Sequence, residues 1–175
     1  MTIYIRDQFV YSAVSTAFAP PATPTDMFTL TGSATKNIYI MKMGITMLQT
    51  TAGQNVVHLL KRSAANTGGT SAAAAAVPYN SQDPAATATA LQYTVNPAAL
   101  GASLGDVWAG FVPAVAPATA GPGALGVELN FLDIYGQPLT LLSTAEVVAF
   151  NFGGVALPVG LSVIAYAIWY EQSKT

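Results

Sequence analysis

The stretch Leu161–Glu171, LSVIAYAIWYE, decides the fold. Nothing in it is charged before Glu171, and from Val155 to Tyr170 there is no charged residue, though Pro158 and Gly160 interrupt the run. A membrane-spanning helix needs about 20 consecutive apolar residues, so this run is too short and too broken to be one. Its residues alternate instead. Leu161, Val163, Ala165, Ala167 and Trp169 fall on one side; Ser162, Ile164, Tyr166, Ile168 and Tyr170 fall on the other. A period of two, rich in β-branched and aromatic residues, specifies a strand. An antiparallel strand with one wet face shows polar residues on that face. Here both faces are largely apolar, so both are expected to be covered, by layers of the same fold or by another subunit.

Working outward, the chain shows strand after strand. The longest candidate is KNIYIMKMGITMLQT. On it Tyr39, Met41, Met43, Ile45 and Met47 share a face expected to be core, and Gly44 is expected to mark a bulge. NVVHLLKRS follows the TTAGQ turn as its hairpin partner. FVYSAVSTAF, MFTLTG, TATALQYTV, VWAGFVPAVA, VELNFLD, PLTLL and EVVAFNF read as further strands, with Pro113 placing VWAGFVPAVA at an edge or bulge. Residues 64–86, with Gly68-Gly69 and five successive alanines, read as a long surface loop, and PAALGASLG as a connection with some helical character. About eight to ten short antiparallel strands, with no amphipathic helix, predict an all-β sandwich of jelly-roll type. The expected division is an N-terminal arm, strand and Pro-rich linker over 1–25, then the sandwich over 26–175.

Composition narrows the function. Of the 175 residues 52% are hydrophobic and 8% charged, against roughly 25% charged in an average soluble protein. Much of this surface is therefore expected to lie against neighbours. A net charge of −2 offers no basic field for nucleic acid or for an anionic membrane surface. Without cysteine, thiolate metal sites and disulfides are excluded. The N-terminus has no basic segment followed by an apolar one, so no signal peptide is expected there.

No catalytic constellation stands out. His58 shares a strand face with Val56, Leu60 and Arg62, and a general base would also need an orienting carboxylate and a nucleophile. The carboxylates are Asp7, Asp26, Asp83, Asp106, Glu128, Asp133, Glu146 and Glu171. Glu128 and Asp133 would point to opposite faces of one regular strand, and Asp133 reads as a turn residue. Asn66-Thr-Gly-Gly69 lacks the Gly-Lys-Ser/Thr ending of a phosphate loop. Neither catalysis, a cofactor nor a metal is expected. The candidate functional residues are those of an interface: Ile164, Tyr166, Ile168 and Tyr170 on the second face of the terminal strand, and Ile3, Tyr4, Ile5 and Phe9 on an arm that could add a strand to a neighbour.

Three stretches taken together resemble a family: Lys61–Ser71, KRSAANTGGTS; Pro78–Ala88, PYNSQDPAATA; and Gly136–Glu171. Their order is similar to that in capsid decoration (cement) proteins of tailed bacteriophages, which have a jelly-roll fold. That resemblance implies a structural virion protein, made in the host bacterial cytoplasm and mounted on the outside of the capsid. It implies the major capsid protein as partner, self-association as a homotrimer, and no role for nucleic acid or membrane. The alternative is a tail or fibre jelly-roll module binding a host-surface glycan, for which Tyr79-Asn80-Ser81-Gln82-Asp83 has the composition.

Overall fold

The structure, a computed structural model, describes residues 8–50, 53–114 and 126–174. Among them the alternating pattern produces twelve strands and one short helix. The strands are β1 (Gln8–Val14), β2 (Asp26–Thr31), β3 (Lys36–Leu48), β4 (Gly53–Arg62), β5 (Thr70–Ala74) and β6 (Ala76–Pro78). They continue as β7 (Thr89–Val95), β8 (Ser103–Ala114), β9 (Gly126–Asn130), β10 (Leu139–Leu141), β11 (Val147–Asn151) and β12 (Ser162–Ser173), with helix α1 (Phe131–Tyr135) after β9. All pairings are antiparallel and form two six-stranded sheets. Sheet A runs β6-β1-β12-β3, with β9 and β10 both bonded to β3. Sheet B runs β5-β7-β2-β11-β4-β8.

First pairs with last: β1 with β12, β2 with β11, β3 with β10, β4 with β8. A ribbon zipped in that way and rolled into two facing sheets is a jelly roll. The expected β-sandwich is present, with more strands than foreseen. Two of the extra ones lie inside residues 64–86, where a loop was expected. β5 pairs with β7 in sheet B and β6 with β1 in sheet A, so the alanine run crosses from one sheet to the other at Ala75. Its neighbours supply the ladder that alanine's own propensity would not select. The stretch with expected helical character is extended instead, with Ala99 bridging Thr67. VELNFLD splits into β9 and α1. The Asn130 side chain caps the helix by accepting from the Asp133 N–H at 3.3 Å, and Gly136 ends it at φ 69° with its N–H on the Leu132 carbonyl. β1 is paired along its whole length with β12, so residues 8–14 are an integral part of the sandwich.

The core lies between the sheets. Sheet B contributes Phe28, Leu30, Val57, Leu59, Val148 and Phe150; sheet A contributes Tyr11, Ile38, Ile40, Met43, Ile45 and Val163. Trp169 is fully buried and stacks on Tyr11, ring centroids 5.9 Å apart. Burying each such side chain contributes roughly 1.5–3 kcal/mol.

The middle of sheet B is covered on its other side as well, since every residue of β11 and all of β2 but Thr31 are buried. The covering segments are the loops after β4 and β7, and one carboxylate holds them. Asp26 is fully buried and takes a two-pronged ion pair from Arg62, Nε at 2.7 Å and a terminal guanidinium nitrogen at 2.8 Å. It also accepts from the amides of Asn66, at 2.7 Å, and Asn151, at 2.6 Å. Arg62 donates onward to the Gly101 carbonyl at 2.6 Å, and the Gly101 N–H returns to Asn66 at 3.0 Å. Removing one member of a buried ion pair strands the other. Asp26→Ala is therefore expected to lower unfolding free energy by about 3–5 kcal/mol, measured by urea denaturation, whereas an exposed change such as Thr70→Ala leaves it within about 0.5 kcal/mol.

Candidate interaction surface

Side chains of β12 alternate as the sequence foretold. Val163, Ala165, Ala167 and Trp169 are wholly buried, while Ile164, Tyr166, Ile168 and Tyr170 emerge on the outer face of sheet A. No second layer covers that outer face among the described residues, so β12 is sealed by its own fold on one side only. Ile164 is 39% exposed. Cross-strand neighbours on the same face are Val10 opposite Tyr170, Ser12 opposite Ile168 and Val14 opposite Tyr166, with Val77 beyond Ser12.

The central strands make this face apolar and also rigid. Tyr39 stacks on Tyr170, centroids 4.7 Å apart and planes 12° from parallel. That corrects one expectation. Tyr39 and Met41 do not share the core face with Met43 and Met47, because the ladder slips between Ile168 and Trp169: Ile168 faces Lys42 and Trp169 faces Ile40. Met41 is the extra residue, and the slip turns Tyr39 outward while Met43 and Met47 stay buried. The bulge is at Met41 and not at Gly44. What Gly44 provides is space, since a Cβ there would sit 2.3 Å from the Tyr166 ring and the bare backbone lets the ring lie across β3.

Tyr166 donates its hydroxyl to the Glu128 carboxylate, and Lys42 approaches Glu128 at 3.0 Å from the other side. The Tyr166 hydroxyl and then Lys42 hold the Glu128 carboxyl below its ordinary range, and Glu128 holds Lys42 above its own. Partial burial, reinforced by Glu128, pushes the Tyr166 phenol up. Burial and Tyr39 do the same to Tyr170. The Lys42–Glu128 ion pair on this face is thus neutralised within the protomer, and the stripe around it offers packing rather than charge.

The remaining candidates do not converge. His58 does have an orienting carboxylate, which sequence reasoning missed: Asp106 Oδ2 lies 2.8 Å from its Nδ1. Both are on sheet B near β8, at the surface, and no nucleophile among the described residues is bonded to the histidine. Asp133 lies in the first turn of α1, its carboxylate accepting from the Asn130 amide, and Glu128 serves Tyr166 and Lys42, so these two carboxylates do not face one another across a cleft. Asp26 and Asn66 belong to the buried cluster. Glu171, 1% exposed, accepts from the Thr87 N–H and hydroxyl, the Ala88 N–H and the Trp169 indole. Among the described residues no group of three potential ligands could hold a metal ion, and no helix is long and apolar enough to cross a membrane. Clefts lined by Val107, Phe131, Tyr135 and Leu139, and by Pro20, Pro21, Leu157 and Val159, measure about 170 and 270 Å³. Both are below the roughly 300–1,000 Å³ of small-molecule sites. Phe9 is part of β1, packed against the core with the Lys36 ammonium 5.8 Å from its ring centroid. Ile3, Tyr4 and Ile5 lie outside the described residues.

Comparison with protein-family models, with curated proteins and with solved structures finds no match.

The raised phenol of Tyr166 has a measurable consequence. Its folded-state value lies above the unfolded value of about 10, so the folded chain keeps a proton that the unfolded chain releases. The associated stability is complete below pH 10 and declines as pH rises further. Urea midpoints measured from pH 9 to 12 should fall less steeply in Tyr166→Phe than in the wild type, and tyrosinate absorbance should lose one late-titrating group.

Proposed function

We propose that this is a structural virion protein, a phage capsid decoration protein that acts as a homotrimer on the outer surface and stabilises the shell across joints between major capsid subunits. The observation that carries this reading is the outer face of sheet A. There the central strand β12 turns Ile164, Tyr166, Ile168 and Tyr170 to the exterior, where a solitary soluble sandwich would place polar side chains. The scarcity of charge supports it, since obligate interfaces are more apolar than ordinary surface.

Magnitudes are adequate. The strands of sheet A run from three to thirteen residues; at about 4.8 Å between strands and about 3.3 Å per residue they give a face on the order of 700 Å², close to the roughly 800 Å² per partner of a standard interface. If half is apolar, burial yields about 8–10 kcal/mol gross, part of it offset by association costs. Repeated at every equivalent position of a shell, a small net gain per site resists expansion from internal pressure. No chemistry is required of the protein, and the reading assigns it none.

A second reading has one specific observation in its favour. Tyr79 is 61% exposed and is followed by exposed Asn80, Ser81 and Gln82, a ring flanked by hydrogen-bonding groups as glycan recognition requires. A tail or fibre module binding a host glycan would use this loop.

Light scattering of the purified protein, alone and after mixing with undecorated capsids, separates the two. The expected result is an assembly of three copies, or of a multiple of three, that moves into the capsid fraction, with Ile164→Lys and Ile168→Lys at least tenfold weaker in trimer formation or capsid uptake. A protein that ignores capsids, or variants that assemble and bind as the wild type does, would overturn the decoration reading. Binding to a glycan array that Tyr79→Ala abolishes would establish the second.

A further inference from the structure

Sheet B ends on β8, and among the described residues nothing pairs with the outer edge of that strand. The other sheet margins are short: β5 has five residues, β6 and β10 three each, β9 five. β8 has twelve. Natural proteins blunt long free edges with charge, bulges or proline. β8 bears such devices at its two ends and none between them. Toward its start, Gly105 at φ 126° and two slips against β4 bend the strand away as far as Val107. Toward its end stands Pro113. From Trp108 to Ala114 the ladder with β4 is unbroken, and no side chain in this segment is charged.

Pro113 also tells which backbone groups face outward. Proline has no N–H for β4, and strands accept it with its nitrogen on the free side. Ala109 and Phe111, at steps of two from it, turn their N–H and C=O the same way. Phe111 is 70% exposed, and its cross-strand neighbour Val56 is 37% exposed. This is an apolar pair standing beside a row of hydrogen-bonding groups that no described residue uses.

We propose that β8 pairs antiparallel with β8 of a second copy about a two-fold axis at Gly110, joining two B sheets into one. The segment bounded by Val107 and Pro113 is centred on Gly110, so the two blunted ends fall opposite each other. Phe111 then lies opposite Ala109 of the second copy, large against small, and these two pairs form about four backbone hydrogen bonds. At the axis the glycines meet as a pair without mutual hydrogen bonds, the closer kind of pair, where Cα atoms approach to about 4.5 Å. Gly110 is already bare to clear the Trp108 indole, which a Cβ would meet at 2.5 Å. The second copy is the fitting occupant because the register closes on itself and no charge has to be matched. This contact does not depend on capsid binding or on the outer face of sheet A.

The test is the mass of the full chain in solution, by light scattering, for the wild type, Ala109→Pro and Phe111→Lys. Ala109→Pro removes an outward N–H and leaves the bonds to β4 in place; Phe111→Lys puts like charges beside the axis and alters an exposed side chain. The expected wild type contains an even number of copies, and each variant halves its mass with unchanged circular dichroism and melting temperature. If the proline variant misfolds, the lysine variant decides. A wild type of one or three copies, or a mass that Phe111→Lys leaves unchanged, overturns the proposal. Ile164→Lys, acting on the other face, separates failure of this contact from failure of the decoration reading.

Discussion

A single buried carboxylate organises the exterior of sheet B. Asp26 opens β2, yet its partners come from the end of β4, the loop behind it and the end of β11. An ion pair taken out of water recovers its desolvation cost only when geometry is good and the remaining hydrogen-bonding capacity is used. Here Arg62 meets it with two nitrogens and sends a third to Gly101, while two amides complete the carboxylate. The cluster works as a specificity device: two irregular loops have one place to lie, and β2 and β11 become strands without a wet face. Gly101 is needed there, because a Cβ would come within 1.7 Å of the Ala64 carbonyl oxygen.

The same economy marks the other ionic groups. Lys42 joins Glu128, Lys61 joins Glu146 at 3.1 Å, and His58 joins Asp106. A chain with few charges has thus committed most of those described to partners within its own fold. Its outer surfaces are left to apolar packing and to backbone hydrogen bonds. Sheet A then presents a face and sheet B an edge, different in kind and on different parts of the sandwich. Two such surfaces allow one protomer to take part in two symmetries at once, a closed ring through one and a two-fold through the other.

How far this could be read from the sequence depends on how local each determinant is. The two-residue period of Leu161–Tyr170 and the length of Lys36–Leu48 are local, and they specify β12, β3 and the sandwich. The helix α1 is also signalled, by Asn130 and Gly136, but the apolar run through Phe131 outweighs them. The bulge at Met41 carries no signal of its own. It arises from the register against β12, and Gly44 draws attention because glycine is the usual marker. Gly44 is explained only once Tyr166 lies across it. The Asp26 cluster is invisible in the sequence for the same reason: positions 26, 62, 66, 101 and 151 meet only when the roll is closed. The pairing of His58 with Asp106 needs β4 and β8 side by side.

The position of β12 also bears on how the molecule comes into being. It is the last strand in order and the central one in sheet A, flanked by the first strand and the third. Until it arrives, β1 and β3 have no common neighbour, and the inward side chains of both wait without their covering row. Pairing strands as far apart along the chain as β1 and β12 requires closing a long loop, which is slow. An emerging chain of this design therefore holds unpaired strand edges longer than one built from successive hairpins. Its yield in cells is set by how well that interval is protected.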